Sequence, residues 1–371
     1  MKRLTQIQHN LKEHKLDGFL ITSQPNIFYL SGIPPLQDAK ELTAFITSNN
    51  LFVFVYSTYK EEASKYIKHG TLVELSNHVK LTDLVQKIIS KENLRCIGFE
   101  AYDVTYSFYS SLKKKVQSID WKPISNLIEK QREIKDEGEL TSIEKAVHIA
   151  DQAFSSILAK IKPGVLEKDI ALELEVFLKK NSDGIAFSPI VASGHASASP
   201  HHISGNKAIK QGEMVLLDFG AKVNGYCSDI TRTIFIGKAT QRFRNVYQTV
   251  LSAQQKTLDY VRKHYDNIYY HSKTDAQILS REVDRVARNY IVEKGYPTIP
   301  HGLGHSLGLE IHESPRLSPS SDEVFKQGMV FTIEPGIYIP GWGGVRIEDM
   351  VVLEKNSIRL LTQATRTLIE V

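Results

Sequence analysis

The 371-residue chain predicts a two-domain α/β protein, and three observations carry that expectation. The length suits two or three domains at about 100–200 residues each. Up to about residue 120, helix-like and strand-like segments alternate, the pattern of a layered α/β unit. A charge-dense stretch, Glu129-Lys130-Gln131-Arg132-Glu133-Ile134-Lys135-Asp136-Glu137, then gives way to two amphipathic helices and a remainder rich in strand-like runs, Gly and His. The expected division is residues 1–125, a connector over 126–137, and residues 138–371.

In chain order, Leu4, Ile7 and Leu11 recur at helical spacing, Asp17-Gly18 makes a turn, and Phe19-Leu20-Ile21 reads as a buried strand ending at Ser23-Gln24-Pro25-Asn26. Leu42 to Thr47 and Leu51 to Val55 form a hairpin around Ser48-Asn49-Asn50. Helices are expected near residues 59–67, 81–90 and 104–117, with a short strand at Cys96-Ile97-Gly98-Phe99. Past the connector, Leu140, Ile143, Val147, Ala150, Phe154, Ile157 and Ile161 step by three and four, defining a long amphipathic helix closed by Pro163-Gly164. Ile170, Leu174 and Phe177 mark a second helix from about Leu166 to Lys180. From Phe187 onward strand-like runs dominate.

Composition narrows the class. Hydrophobic residues are 42% and charged residues 24%, an ordinary globular mixture that excludes collagenous, disordered and coiled-coil chains. The longest apolar run, Leu51 to Tyr56, is far shorter than the ~20 residues of a membrane span. Met1 to Asn10 has charges but no apolar run behind them, so no cleaved secretory signal is expected. Cys96 and Cys227 are expected as reduced thiols in a cytoplasmic protein. The +4 net charge resides wholly in residues 1–130, and no basic stripe with interleaved aromatics points to nucleic acid. Lys113-Lys114-Lys115 reads as a solvated helix end.

An internal repeat is the most informative feature. Lys210-Gln211-Gly212 precedes Asp218, and Lys326-Gln327-Gly328 precedes Glu334, each acid six residues past its glycine and followed by one residue and a further glycine. A second acid follows in each copy, Asp229 11 residues after Asp218 and Glu348 14 residues after Glu334. Carboxylates on such apolar strands are costly to bury as isolated charges, and four converging acids repel one another. Arginine partners, protonation or cations would relieve them, and two divalent cations would balance four carboxylates. The segment His301-Gly302-Leu303-Gly304-His305 and the later His312 supply imidazoles that could complete such a set. Spacing alone leaves the plainer readings standing: an Asp before Gly is ordinarily a turn residue, Asp229 a cap or turn acid, and His78, His148, His264 and His271 structural or surface residues.

The same residues resemble the pita-bread metallopeptidases, the family of Xaa-Pro dipeptidase (prolidase), aminopeptidase P, creatinase and methionine aminopeptidase. The resemblance rests on Ile190-Val191-Ala192-Ser193-Gly194 with Pro200-His201-His202, Leu217-Asp218-Phe219-Gly220, Ser228-Asp229-Ile230-Thr231-Arg232-Thr233, Gly304-His305 with Ile311-His312-Glu313, Thr332-Ile333-Glu334-Pro335-Gly336, and Val345-Arg346-Ile347-Glu348-Asp349. Asp17 to Gly32 and Arg132 to Glu137 are similar to the amino-terminal domain of the prolidase, aminopeptidase P and creatinase branch.

That resemblance implies a creatinase-like α/β domain followed by a pita-bread α/β domain, in which pairs of helices cover a curved antiparallel sheet. It implies two divalent metal ions on Asp218, Asp229, His305, Glu334 and Glu348, with Mn²⁺ as first choice and Co²⁺, Zn²⁺ or Fe²⁺ as alternatives. Asp218 and Asp229 would hold one metal, His305 and Glu334 the other, with Asp229 and Glu348 bridging. Glu334 would be the base for the attacking water, His201 and His312 would stabilise the oxyanion, His301 would line the substrate pocket, and Arg346 would order the bridging carboxylate and reach the substrate. Tyr226 reads instead as a packed strand residue beside Cys227. Ser306-Leu307, where many relatives have Gly-Val, implies a changed pocket wall. The implied activity is hydrolysis of an Xaa-Pro bond, a tertiary amide lacking the N–H that general peptidases use. A dipeptide is the leading substrate and a longer peptide the alternative, with a homodimer as the assembly. A metal-free creatinase or a catalytically dead binding protein would require lost ligands, and none of the five is lost. Methionine aminopeptidases do not need the first domain.

Overall fold

The computed structural model describes residues 2–36, 42–270, 278–355 and 357–371 and divides into two compact units, Met1–Gln131 and Arg132–Val371. The first unit is a six-stranded mixed sheet in the order Thr71–Leu75, Leu51–Tyr56, Leu42–Thr47, Gly18–Ile21, Cys96–Glu100 and Asp120–Ile124. The expected hairpin pairs Leu42 with Val55 through Ile46 with Leu51. Helices Ser57–Tyr66, Leu81–Glu92 and Tyr106–Lys115 occupy the expected stretches. Leu20, Phe45, Phe54, Val85, Leu112 and Trp121 belong to one buried cluster. Lys113, Lys114 and Lys115 are exposed in the last turn of their helix, where cations complement the helix dipole.

Three elements depart from the pattern reading. Thr71–Leu75 and Asp120–Ile124 are the two edge strands, mostly accessible and therefore without an apolar signature. Pro123 is tolerated there because an edge strand leaves some N–H groups outside the ladder. Gln24–Ser31 is a helix rather than the trailing end of a strand, because Pro25 in its first turn presets a helical φ and Gly32 closes it at φ +84°.

Glu100 predicts a pH dependence for this unit. Its carboxylate is buried and accepts the N–H groups of Thr22 and Ser23 at 2.6 and 2.7 Å and the Asn26 amide at 2.7 Å. Burial nevertheless pushes its pKa up to about 7. A folded-state value above the unfolded one means that the contribution is fully present at low pH and lost as pH rises through 7. Protection of the Thr22 and Ser23 amides, corrected for intrinsic exchange, is expected to fall between pH 5 and pH 8, by an amount bounded at about 3 kcal/mol. Glu100→Gln should flatten that profile.

The second unit opens on Asp136, whose side chain caps the helix Glu137–Ile157 in a reciprocal box with Glu139. The stretch expected as a connector is thus divided between the units. It is no exposed tether either, since Arg132, Glu133 and Lys135 are buried. Helices Glu137–Ile157 and Glu167–Asn181 share one buried cluster with strands Ile190–Ser193, Met214–Phe219 and Ile230–Phe235. Helices Gln241–Tyr270 and Ser280–Glu293 share another with strands Val330–Ile333 and Asp349–Leu353. This second helix pair was implied by the family resemblance but not placed by the pattern reading. Phe243, Val246, Val250 and Val261 do bury at helical spacing, but within an otherwise polar stretch.

The repeat has a direct structural counterpart. In each copy, an antiparallel strand pair is interrupted by a small β-hairpin: Ala221–Val223 with Tyr226–Cys227 in the first, Gly336–Ile339 with Gly343–Arg346 in the second. The second hairpin has four paired positions against two, which accounts for the longer interval between its acids.

Candidate metal centre

Strand alternation delivers the acids. Along Met214–Phe219, Val215, Leu217 and Phe219 enter the apolar cluster, so Asp218 emerges on the opposite face. Phe331 and Ile333 do the same on the other strand, leaving Thr332 and Glu334 together on its site face. Asp229 and Glu348 each lie one residue before the partner strand, Ile230–Phe235 and Asp349–Leu353. His305 is in the short strand Gly304–Ser306, and Gly304 has no room for a side chain because a Cβ there would fall 2.1 Å from the Thr332 carbonyl oxygen.

These residues meet in a cleft of about 380 Å³. All nine sequence-predicted site residues line it: His201, Asp218, Asp229, His301, His305, His312, Glu334, Arg346 and Glu348. Asp229, His305 and Glu348 offer ligand atoms within 4.8 Å of one another. Glu334 approaches from the side, its Oε1 3.4 Å from His305 Nε2. Asp218 is turned to Arg346, whose guanidinium donates to its Oδ2. His201 and His312 are exposed at the rim, with the His312 ring edge-on to His305 at 4.4 Å between centroids.

The chemistry of this donor set fits divalent cations. Burial, then repulsion from Glu348, Asp218 and Glu334, pushes Asp229 well above the ordinary carboxylate range, and burial and the other acids do the same to Glu348. Burial raises Glu334 to about 8 and also raises Asp218, which Arg346 partly offsets. Asp229 Oδ1 and Glu348 Oε1 are buried with no hydrogen-bond partner among the described residues. Such oxygens are costly unless something coordinates them. His305 Nδ1 faces the Ser306 carbonyl at 3.1 Å, which makes it the protonated nitrogen and leaves the Nε2 lone pair aimed at the acids. Burial lowers the His305 pKa to about 3, so the ring stays neutral, as a ligand must.

Two residues that sequence reasoning did not single out organise the centre. Thr231 donates to Glu348 Oε2 at 2.6 Å and accepts from Arg346 Nε at 3.0 Å. Arg346 therefore reaches the Glu348 carboxylate through Thr231 rather than by a hydrogen bond of its own. Tyr338 accepts from Arg346 at 2.9 Å and meets His301 Nε2 at 2.9 Å. Because His301 Nδ1 faces the Gly302 carbonyl at 2.7 Å, both ring nitrogens of His301 are engaged within the protein. Thr231 had a legible signal, lying two residues from Asp229 on the same strand face; Tyr338 had none.

Ser306 and Leu307 correct an expectation: neither lines the cleft. Leu307 is fully buried, and the Ser306 hydroxyl donates to the Val330 carbonyl at 2.7 Å, away from the acids. Tyr226 is buried as expected, its hydroxyl donating to Glu139 at 2.9 Å. His78 is exposed, His148 contacts Gln152 on the surface and His264 bonds the Tyr260 carbonyl, whereas His271 lies outside the described residues.

The sequence profile of metallopeptidase family M24 matches residues 141–355, the stretch that carries all nine residues lining the cleft that the sequence singled out. The chain belongs to metallopeptidase family M24. The creatinase/prolidase amino-terminal domain matches residues 3–134 of this M24 peptidase. It is 35% identical over 374 residues to the Xaa-Pro dipeptidase of Pyrococcus horikoshii, with 99% of each chain covered. A solved Xaa-Pro dipeptidase from Bacillus anthracis superposes at a TM-score of 0.90 with 36% identity, covering 100% of this chain and 99% of that one. An X-Pro aminopeptidase from Thermotoga maritima superposes at 0.86 with 31% identity, covering 98% and 100%. The two-domain creatinase and pita-bread architecture expected from the sequence is the architecture of these relatives.

Proposed function

We propose that this M24 peptidase releases the first residue from substrates whose second residue is proline, and that Xaa-Pro dipeptides are its preferred substrates. The observation that carries the reading is the convergence of all nine residues on one cleft, in a chain that matches Xaa-Pro dipeptidases from end to end. Asp218, Asp229, His305, Glu334 and Glu348 would hold two divalent cations. The oxygen-rich set with one imidazole supports Mn²⁺, with Co²⁺, Zn²⁺ or Fe²⁺ as alternatives. When bound, such a pair acidifies a shared water and polarises the scissile carbonyl.

The chain's own groups do the rest. Glu334 accepts the proton of the attacking water. His201 and His312, at the accessible rim, donate to the oxygen that gains charge. Arg346 holds Asp218 and, through Thr231, orients Glu348. His301 is held by Gly302 and Tyr338 and shapes the wall beside the substrate. The free thiols Cys96 and Cys227 support a reducing, cytoplasmic setting. No helix among the described residues is long and apolar enough to cross a membrane. A homodimer is part of the reading and is checked by light scattering.

The deciding experiment is chelation followed by re-addition of each metal, with turnover measured on Ala-Pro and on Ala-Pro-Gly. Activity lost on chelation and restored on Ala-Pro, most effectively by Mn²⁺, is the expected result. Turnover of the tripeptide alone would move the assignment to aminopeptidase. Turnover of neither by metal-loaded protein would remove the Xaa-Pro reading.

A further inference from the structure

One buried ammonium touches the residue that follows each of two cleft histidines. Lys135 Nζ lies 3.3 Å from the hydroxyl of Ser306, next to His305, and 3.2 Å from Oε2 of Glu313, next to His312. The Lys135 side chain is only 1% exposed and that of Glu313 7%. The other Glu313 oxygen accepts from Arg132 at 2.5 Å and from the Glu310 N–H at 3.2 Å. Gly308 leaves this carboxylate its space, since a Cβ there would fall 2.8 Å from Glu313 Oε2. On the other side, the Lys135 N–H donates to the carbonyl of Gly328, the glycine of the second repeat copy, at 2.9 Å. The ammonium is thus anchored through its own backbone to the strand pair that carries Glu334 and Glu348.

We propose that Lys135, assisted by Arg132, is a positioning residue: its ties to Ser306 and Glu313 set the separation between His305 and His312 across the cleft. A buried ion pair is weak evidence for stability in itself, because desolvation offsets its Coulombic gain. Ser306 and Glu313 are also partners in the ladder between Gly304–Ser306 and Glu313–Leu317, whose register shifts between His305 and Ser306. The ammonium spans that irregular point, between the segment of a metal-ligand histidine and that of an oxyanion donor. The inference rests on the reading of His312 as an oxyanion donor, and a displacement of about 1 Å at such a donor costs about 10²-fold in rate.

The test compares wild type, Lys135→Met and the charge-balanced pair Lys135→Met with Glu313→Gln, all metal-loaded. Lys135→Met should lower kcat on Ala-Pro by about 10²-fold with KM within about twofold and bound metal unchanged. The double variant, in which the Glu313 oxygen that faced Lys135 is no longer charged and Arg132 keeps its ion pair with Glu310 at 2.8 Å, should recover part of the lost melting temperature, yet keep kcat at least about tenfold below wild type. Its crystal structure should show the His305–His312 ring separation widened from 4.4 Å. Full recovery of kcat in the double variant, or an unchanged ring separation, would overturn the proposal. Wild-type protein that leaves Ala-Pro intact would defeat the substrate reading instead, and the crystallographic comparison would still decide the positioning role.

Discussion

Asp229→Asn is expected to remove peptidase activity while making the metal-free protein more heat-stable. Asp229 is buried, one of its oxygens has no hydrogen-bond partner among the described residues, and Glu348, Asp218 and Glu334 all repel its charge. An asparagine keeps the shape, removes one of four mutually repelling charges and offers N–H donors to the remaining carboxylates. Each kcal/mol relieved corresponds to about 2–4 °C for a unit of this size, so the chelated variant should melt several degrees above chelated wild type. Activity should move the other way. Loss of an outer partner of a metal site costs about 10–100-fold, and removal of a ligand is expected to cost more. Elemental analysis, calorimetry of chelated protein and kcat/KM together check this. A variant that keeps full metal content and activity would show that Asp229 is no ligand, and the metal reading would fall with it.

Arg232→Met is expected to produce the largest stability loss of any single change considered. The Arg232 side chain is 1% exposed and its five N–H groups make five hydrogen bonds: to Asp349 Oδ1 at 2.6 Å and to the carbonyls of Glu348, Thr231, Ala364 and Thr365 at 2.5, 3.0, 2.7 and 2.9 Å. It ties the Asp229 strand of the first repeat copy to the Glu348 strand of the second. Removing it leaves Asp349 buried without its close guanidinium, Arg366 lying 3.8 Å away. Breaking a buried pair on one side costs about 3–5 kcal/mol, which corresponds to a fall of about 6–20 °C in melting temperature. Adding Asp349→Asn should return part of that loss by removing the stranded charge. A single variant melting within about 2 °C of wild type would contradict this account.

Much of the site was legible because β-alternation and repetition are sequence-level properties. Asp218 and Glu334 keep one offset from a Lys-Gln-Gly turn, and a period of two residues places both on the face opposite their apolar neighbours. The helices Glu137–Ile157 and Glu167–Asn181 were legible because their buried residues recur at three and four. Other elements were silent for identifiable reasons. Edge strands such as Asp120–Ile124 are half solvated and have no apolar run to detect. Ser306 departs from expectation because a residue beside His305 was expected to face the cleft, whereas its hydroxyl turns to Val330 and Lys135.

By itself, the sequence determined which side chains can carry chemistry and which face of its own strand each must occupy, because pleat and periodicity are set by neighbours along the chain. Only the tertiary structure decided which of them meet: that Thr231 joins Arg346 to Glu348, that Tyr338 closes over His301, and that Lys135 lies between the segments of His305 and His312. Those pairings join residues tens to more than a hundred positions apart. They form because a buried polar group must find its partner across strands, and local pattern carries no record of that choice.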